Sequence, residues 1–124
     1  MKKDIENRED INLLIDSFYK KVRTDDILGF IFSETFHINW ETHLPIICNF
    51  WENVLFQSGP YTGNPMEVHK KLNQQFPLSK VHFNQWLRLF KETADELFEG
   101  GIKDLTIQRA VSIASVMVVR ISAV

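Results

Sequence analysis

Apolar side chains recur at helical spacing in every long stretch of this chain, and no stretch alternates for long enough to predict a substantial strand. Ile11, Leu14, Ile15, Phe18 and Val22 form the first stripe, with Asp10 available as its cap. Asp25-Asp26 opens a short segment holding Ile27, Leu28, Phe30, Ile31 and Phe32. A second long helix is predicted from Trp40, His43, Leu44, Ile47, Phe50, Trp51, Val54 and Leu55, with Pro45 near its start. Dense turn signals from Ser58 to Gly63 end it. Asn64-Pro65-Met66-Glu67 then reads as a helix start: an Asn cap, Pro at the first helical position and Glu at the third. The short helix after it holds His69 and is bounded by Gln74-Gln75-Phe76-Pro77.

Ser79 is placed to cap a long helix with Phe83, Trp86, Leu87, Phe90, Ala94, Leu97 and Phe98 on one face, and Gly100-Gly101 stops it. The last helix is expected to bury Ile107, Ala110, Val111, Ala114, Met117, Val118 and Ile121. The chain therefore reads as all-α. Its 124 residues suit one domain over 1–124, long enough to bury a sizeable core.

Composition narrows the function by exclusion. A net charge of -2 offers no electrostatic footprint for nucleic acid or an anionic membrane. The single cysteine, Cys48, excludes an internal disulfide framework and a Cys-based zinc site. The N-terminus lacks the apolar core of a signal peptide, and the apolar run near Val116 to Val119 is cut by Arg120 and Ser122, too short to span a bilayer. A cytoplasmic, reduced protein is expected. Ten Phe against two Tyr point to an aromatic core or to a large flat ligand, and composition alone does not choose between them.

Conventional catalytic motifs are absent. None of His37, His43, His69 and His82 forms an HExxH pair, and there is no phosphate loop, GxSxG or CxxC. What remains are polar residues set into apolar helix faces. His69 shares the apolar side of a short, firmly capped helix. By residue type it reads first as a core histidine, and second as a metal or haem ligand. His43 lies inward with Trp40, Leu44 and Ile47, Tyr19 stands one residue off the first stripe, and Trp86 is central on its face. Each alone reads as core. Together they are three donors on three apolar helices, and buried donors require partners. A cavity holding a polar diatomic ligand would supply one.

The pattern Phe18-Tyr19, Phe32, His43, Asn49-Phe50-Trp51, Tyr61-Thr62-Gly63-Asn64-Pro65, His69, and Phe83 through Trp86-Leu87 to Phe90 resembles the third group of truncated haemoglobins. The closing stretch, with Gln108-Arg109-Ala110 and Ile113-Ala114, fits it too, so the resemblance runs from about Ile11 to Met117. It implies a truncated globin fold, a two-over-two helical sandwich around haem b. Carried over by position, it makes His69 the proximal iron ligand and Tyr19, His43 and Trp86 the distal residues. Phe32 becomes the ring packed on the haem face, and Ile47 the cover of the distal side. Lys70, Lys71 and Lys80 are candidate propionate partners, although surface lysines are the commoner reading.

Such a site implies oxygen, nitric oxide or peroxide as ligand. Bound oxygen carries partial negative charge, and each charge-assisted donor holds it by roughly 1.5–3 kcal/mol. Slow release is the consequence, which argues against bulk oxygen transport and toward peroxidase-like or nitric oxide-detoxifying chemistry served by an unidentified reductase. The competing expectation is a haem-free helical interaction or sensing module that kept the globin fold.

Overall fold

The computed structural model describes residues 2–29, 40–56 and 80–122, with backbone alone for Trp40 and for 117–122. Among these residues lie four helices: α1 (Arg8–Thr24), α2 (Trp40–Phe56), α3 (Lys80–Leu97) and α4 (Gly101–Ser122). Helix α1 packs on α2 and α3, and α4 packs on α3 and, over a smaller area, on α2. This is the two-over-two helical arrangement expected from the sequence.

The first stripe buries as its spacing predicts: Ile11, Leu14, Ile15, Phe18 and Val22 are at most 1% exposed. Its cap differs. Asn7 is the N-cap, its side chain accepting from the Asp10 N–H at 3.0 Å. Asp10 sits three residues inside the helix and reaches back to accept from the Glu6 N–H at 2.9 Å and from Lys3. Asn7 satisfies one orphan donor of the first turn, and Asp10 ties that turn to the segment before the cap rather than to Asn7 as in a capping box. Pro45 also lies further in than expected, one full turn past Trp40. The helix runs through it without the bond that its missing N–H would have made.

Helix α3 buries a wider arc than one stripe. Besides Phe83, Phe90 and Ala94 it buries Leu89 and Thr93, because α1 and α4 approach it from different sides. The Thr93 hydroxyl donates to the Leu89 carbonyl at 2.7 Å, which satisfies it inside the core. In α4 the expected stripe holds at Ala110 and Ala114, but Val111 is 45% exposed and Thr106 is buried in its place.

Two glycines are required by close approach. A Cβ on Gly29 would stand 2.9 Å from the Arg23 carbonyl oxygen, in the tight turn after α1. Gly100 has φ 137, a left-handed value that side chains resist, and a Cβ there would collide with Asp4. The collision marks a long-range cap. Gly100 accepts the first backbone bond of α4 from Asp104, yet has no side chain to cover the next donors. The Asp4 carboxylate does so instead, accepting from the Ile102 and Lys103 N–H groups at 2.9 and 2.8 Å. The N-terminal segment is held there by a further bond from the Glu99 N–H to the Lys3 carbonyl.

Burial pushes the Asp4 carboxyl up, but the N–H groups of Ile102, Lys103 and Ile5 outweigh it and hold its pKa below 3.8. A depressed carboxyl stabilises the fold above its unfolded value, and that contribution is lost as pH falls through the folded one. We expect Asp4→Ala to cost about 0.5–2 kcal/mol in urea unfolding at neutral pH. The gap between wild type and variant should close in acid; a gap that stays constant with pH would show that the carboxylate is not the cap.

Candidate functional site

Tyr19 and Trp86 meet in the middle of the helical layers. Tyr19 lies on α1 beside Phe18 and is 9% exposed, so it widens the buried stripe rather than facing water. Trp86 projects from the second turn of α3, and its indole N–H faces the Tyr19 phenol closely enough to favour the ionised oxygen. Burial pushes the phenol pKa up to about 12; the indole of Trp86 works in the opposite direction and is the smaller effect. Tyr19 therefore stays a neutral phenol at any ordinary pH. With the indole N–H facing its oxygen, the phenol keeps its one O–H proton to donate.

The surroundings of this polar pair are aromatic. Phe18 lies edge-on to Tyr19, Trp86 and Phe90, with ring centroids 4.7, 5.4 and 5.1 Å apart. Phe90, one turn beyond Trp86, stacks on it at 5.4 Å and 17°. Phe90 also stacks on Trp51 of α2 at 5.2 Å and 24°. Spacing alone could have suggested the Trp86–Phe90 pair, since side chains four residues apart on a helix share a face. The stack with Trp51 joins two helices and has no local signal.

Helix α2 supplies the third wall. Its buried stripe runs through Cys48 and Trp51, flanked by the partly buried Leu44 and Leu55. His43 and Ile47 stand on the edge of that stripe, four residues apart and both partly buried. Cys48 is 3% exposed and near enough to Tyr19 to act on it electrostatically. Burial pushes the Cys48 thiol up to about 11, with Asp16 and Glu52 adding to the rise and Arg8 opposing it. It is a packed thiol rather than a nucleophile. His82 lies one turn before Trp86, partly buried, and burial holds its imidazole below the usual 6.5.

Of the residues singled out from the sequence, Tyr19 and Trp86 are thus in direct contact, while His43 and Ile47 line the neighbouring helix. Phe32 and His69 lie outside the described residues, as do Lys70 and Lys71, and Lys80 is exposed at the start of α3. The helix ends around the pair are tied down. Arg8 bridges α1 to Asn49 and Glu52 of α2 at 2.7 and 3.0 Å. Gln85, next to Trp86, donates to Asp25 at the end of α1 at 2.6 Å. Among the described residues no three His, Cys, Asp or Glu side chains gather as a metal site. No described helix is long and apolar enough to cross a membrane. The donor set is one phenol and one indole within hydrocarbon, which fits the ligand side of a flat apolar prosthetic group.

No protein-family model matches the chain. It is 37% identical over 118 residues to the group 3 truncated hemoglobin ctb of Campylobacter jejuni, covering 93% of this chain and 91% of the relative. The crystal structure of a group III truncated hemoglobin from Campylobacter jejuni superposes with a TM-score of 0.86 at 35% identity, covering 98% of this chain and 95% of that one.

Proposed function

We propose, from the premise that this chain belongs to the group III truncated haemoglobins, that it binds haem b through His69 and uses the Tyr19–Trp86 pair to hold a small ligand. Membership carries the coarser statement, that this is a haem-binding globin. The observation that supports the finer one is the meeting of the Trp86 indole with the Tyr19 phenol within an apolar shell.

Haem, when bound, supplies an iron that takes oxygen, nitric oxide or peroxide at its open position. The chain's own residues determine how tightly such a ligand is held. A neutral His69 imidazole would hold the group, and Phe32 would pack on its face. Ile47 and His43, partly buried on α2, would cover the distal side, excluding water and strengthening each hydrogen bond inside. Tyr19, its oxygen faced by the Trp86 indole, would be the donor. A donor locked in place in a dry site costs no reorganisation when charge develops on the ligand. This favours tight holding or polarisation of an O–O bond over rapid exchange. The protein would then act on oxygen, nitric oxide or peroxide, as one domain over 1–124 in the cytoplasm, and draw electrons from a separate reductase.

Absorption spectra of wild type and His69→Ala in ferric, ferrous and carbonyl forms test this reading. Wild type should show a Soret band, and His69→Ala should lose most of its haem or shift all three spectra. Identical spectra would remove His69 as the ligand. A folded wild type that takes up no haem would favour the haem-free module instead.

A further inference from the structure

We infer that Trp86 and Trp51, joined through Phe90, form a relay that moves a one-electron oxidation out of the haem pocket and into the helical core. The relay rests on haem binding as proposed for this chain, with a hydroperoxide as the oxidant.

The geometry is a continuous stack. Trp86 lies on Phe90 at 5.4 Å and 17°, and Phe90 lies on Trp51 at 5.2 Å and 24°. Near-parallel rings at these centroid separations are offset stacks that keep ring edges in contact, and they link α3 to α2. The two indoles are the electron-rich ends. The phenyl ring between them is far harder to oxidise and serves as the bridge. All three rings are at least partly shielded: Phe90 is 1% exposed and Trp51 4%, and Trp86 is partly buried.

Tyr19 is the competing electron donor, and its setting argues against it. A phenol gives up an electron readily only as it gives up its proton. The Tyr19 oxygen already faces the Trp86 N–H, and burial makes the phenol a weaker acid than usual. An indole can be oxidised while keeping its proton. At Trp86 the resulting positive charge is stabilised by the Tyr19 oxygen that its N–H already faces. That contact therefore makes Trp86 the first stop.

Atoms and electrons balance. Hydrogen peroxide loses its O–O bond on accepting two electrons. One oxygen leaves as water with both protons, and a bound haem would take up the other and supply one of the two electrons. Trp86 would give the second electron and become a radical cation. An electron then moves from Trp51 through Phe90 to Trp86. Trp86 is restored, Trp51 is left one electron short, and no proton has to move. The relay keeps the oxidising equivalent away from the pocket's own donors.

The test uses the ferric holoprotein, with haem content first fixed by its Soret band. Hydrogen peroxide is added, the sample is freeze-quenched for electron paramagnetic resonance, and oxygenated peptides are mapped by mass spectrometry. A radical whose line shape narrows with ring-deuterated tryptophan is expected, with oxygenation concentrated on the Trp51 peptide. Trp51→Phe should abolish that product and shift it to Trp86. Phe90→Leu keeps both indoles but breaks the stack, and should lower the Trp51 product several-fold while raising that at Trp86. A radical unaffected by tryptophan deuteration overturns the relay, as does a Trp51 product unchanged in Phe90→Leu. In both cases a normal Soret band leaves the haem reading intact. A wild type that takes up no haem removes that reading and the relay with it.

Discussion

Replacing Tyr19 with Phe is expected to raise the rate of oxygen release by about one to two decades, the equivalent of the roughly 1.5–3 kcal/mol carried by one charge-assisted hydrogen bond. The substitution removes only the hydroxyl, and the ring keeps its contact with Phe18 at 4.7 Å, so packing is nearly unchanged. Trp86→Phe should have a smaller effect. Its N–H faces the Tyr19 phenol, so it should act on the ligand chiefly by fixing that group. The double variant should then release oxygen about as fast as Tyr19→Phe alone, which is strong coupling rather than addition. Stopped-flow dissociation of the four proteins reads this directly. Strictly additive effects would mean two independent donors and would sink the chain-of-donors account. The pH profile adds a second check. With the phenol pushed from 10.0 up to about 12, release should stay flat through the range where an ordinary tyrosine begins to ionise.

That coupling depends on a contact between α1 and α3 which no local pattern announces. The individual residues were legible. Ile11, Leu14, Ile15, Phe18 and Val22 bury where the helical period puts them, and the doublet Gly100-Gly101 does break the chain between α3 and α4. Features that were not legible depend on which surfaces meet. Asp10 and Asn7 are both good caps, and only the entry path of the chain decides that Asn7 takes the cap and Asp10 the third helical position. Asp4 caps a helix that starts at Gly101, far along the chain, where Gly100 has no side chain of its own. Leu89 and Thr93 are buried because α3 is covered from two sides, whereas α4 packs mainly on α3 and leaves Val111 exposed. The same holds for the site. Tyr19, His43, Ile47 and Trp86 could be chosen as polar or bulky residues on apolar faces, and family resemblance gave each of them a role. That the Trp86 indole meets Tyr19, and that Phe90 ties it to Trp51, follow from tertiary packing.

Phe90 is where those tertiary contacts converge, and Phe90→Ala should be among the most damaging single changes in the core. The residue is 1% exposed and touches three other rings: Trp86 and Trp51 stacked and Phe18 edge-on. Truncating a buried Phe to Ala costs about 3–5 kcal/mol in lost transfer energy and cavity. Each aromatic pair adds about 0.5–1.5 kcal/mol beyond area, so the upper half of that range is expected. Against a total stability of about 5–15 kcal/mol for a domain of this kind, the apoprotein would sit close to its unfolding threshold. Phe50→Ala is the informative control. Phe50 also meets Trp51 edge-on, at 5.5 Å and 88°, but it is only partly buried. Its loss should cost clearly less, because water can fill part of the space its ring leaves. Urea unfolding of the two variants separates the readings. If Phe90→Ala cost no more than Phe50→Ala, the stack would be incidental to the core, and the rigidity it lends Trp86, on which the donor chain depends, would have to come from elsewhere.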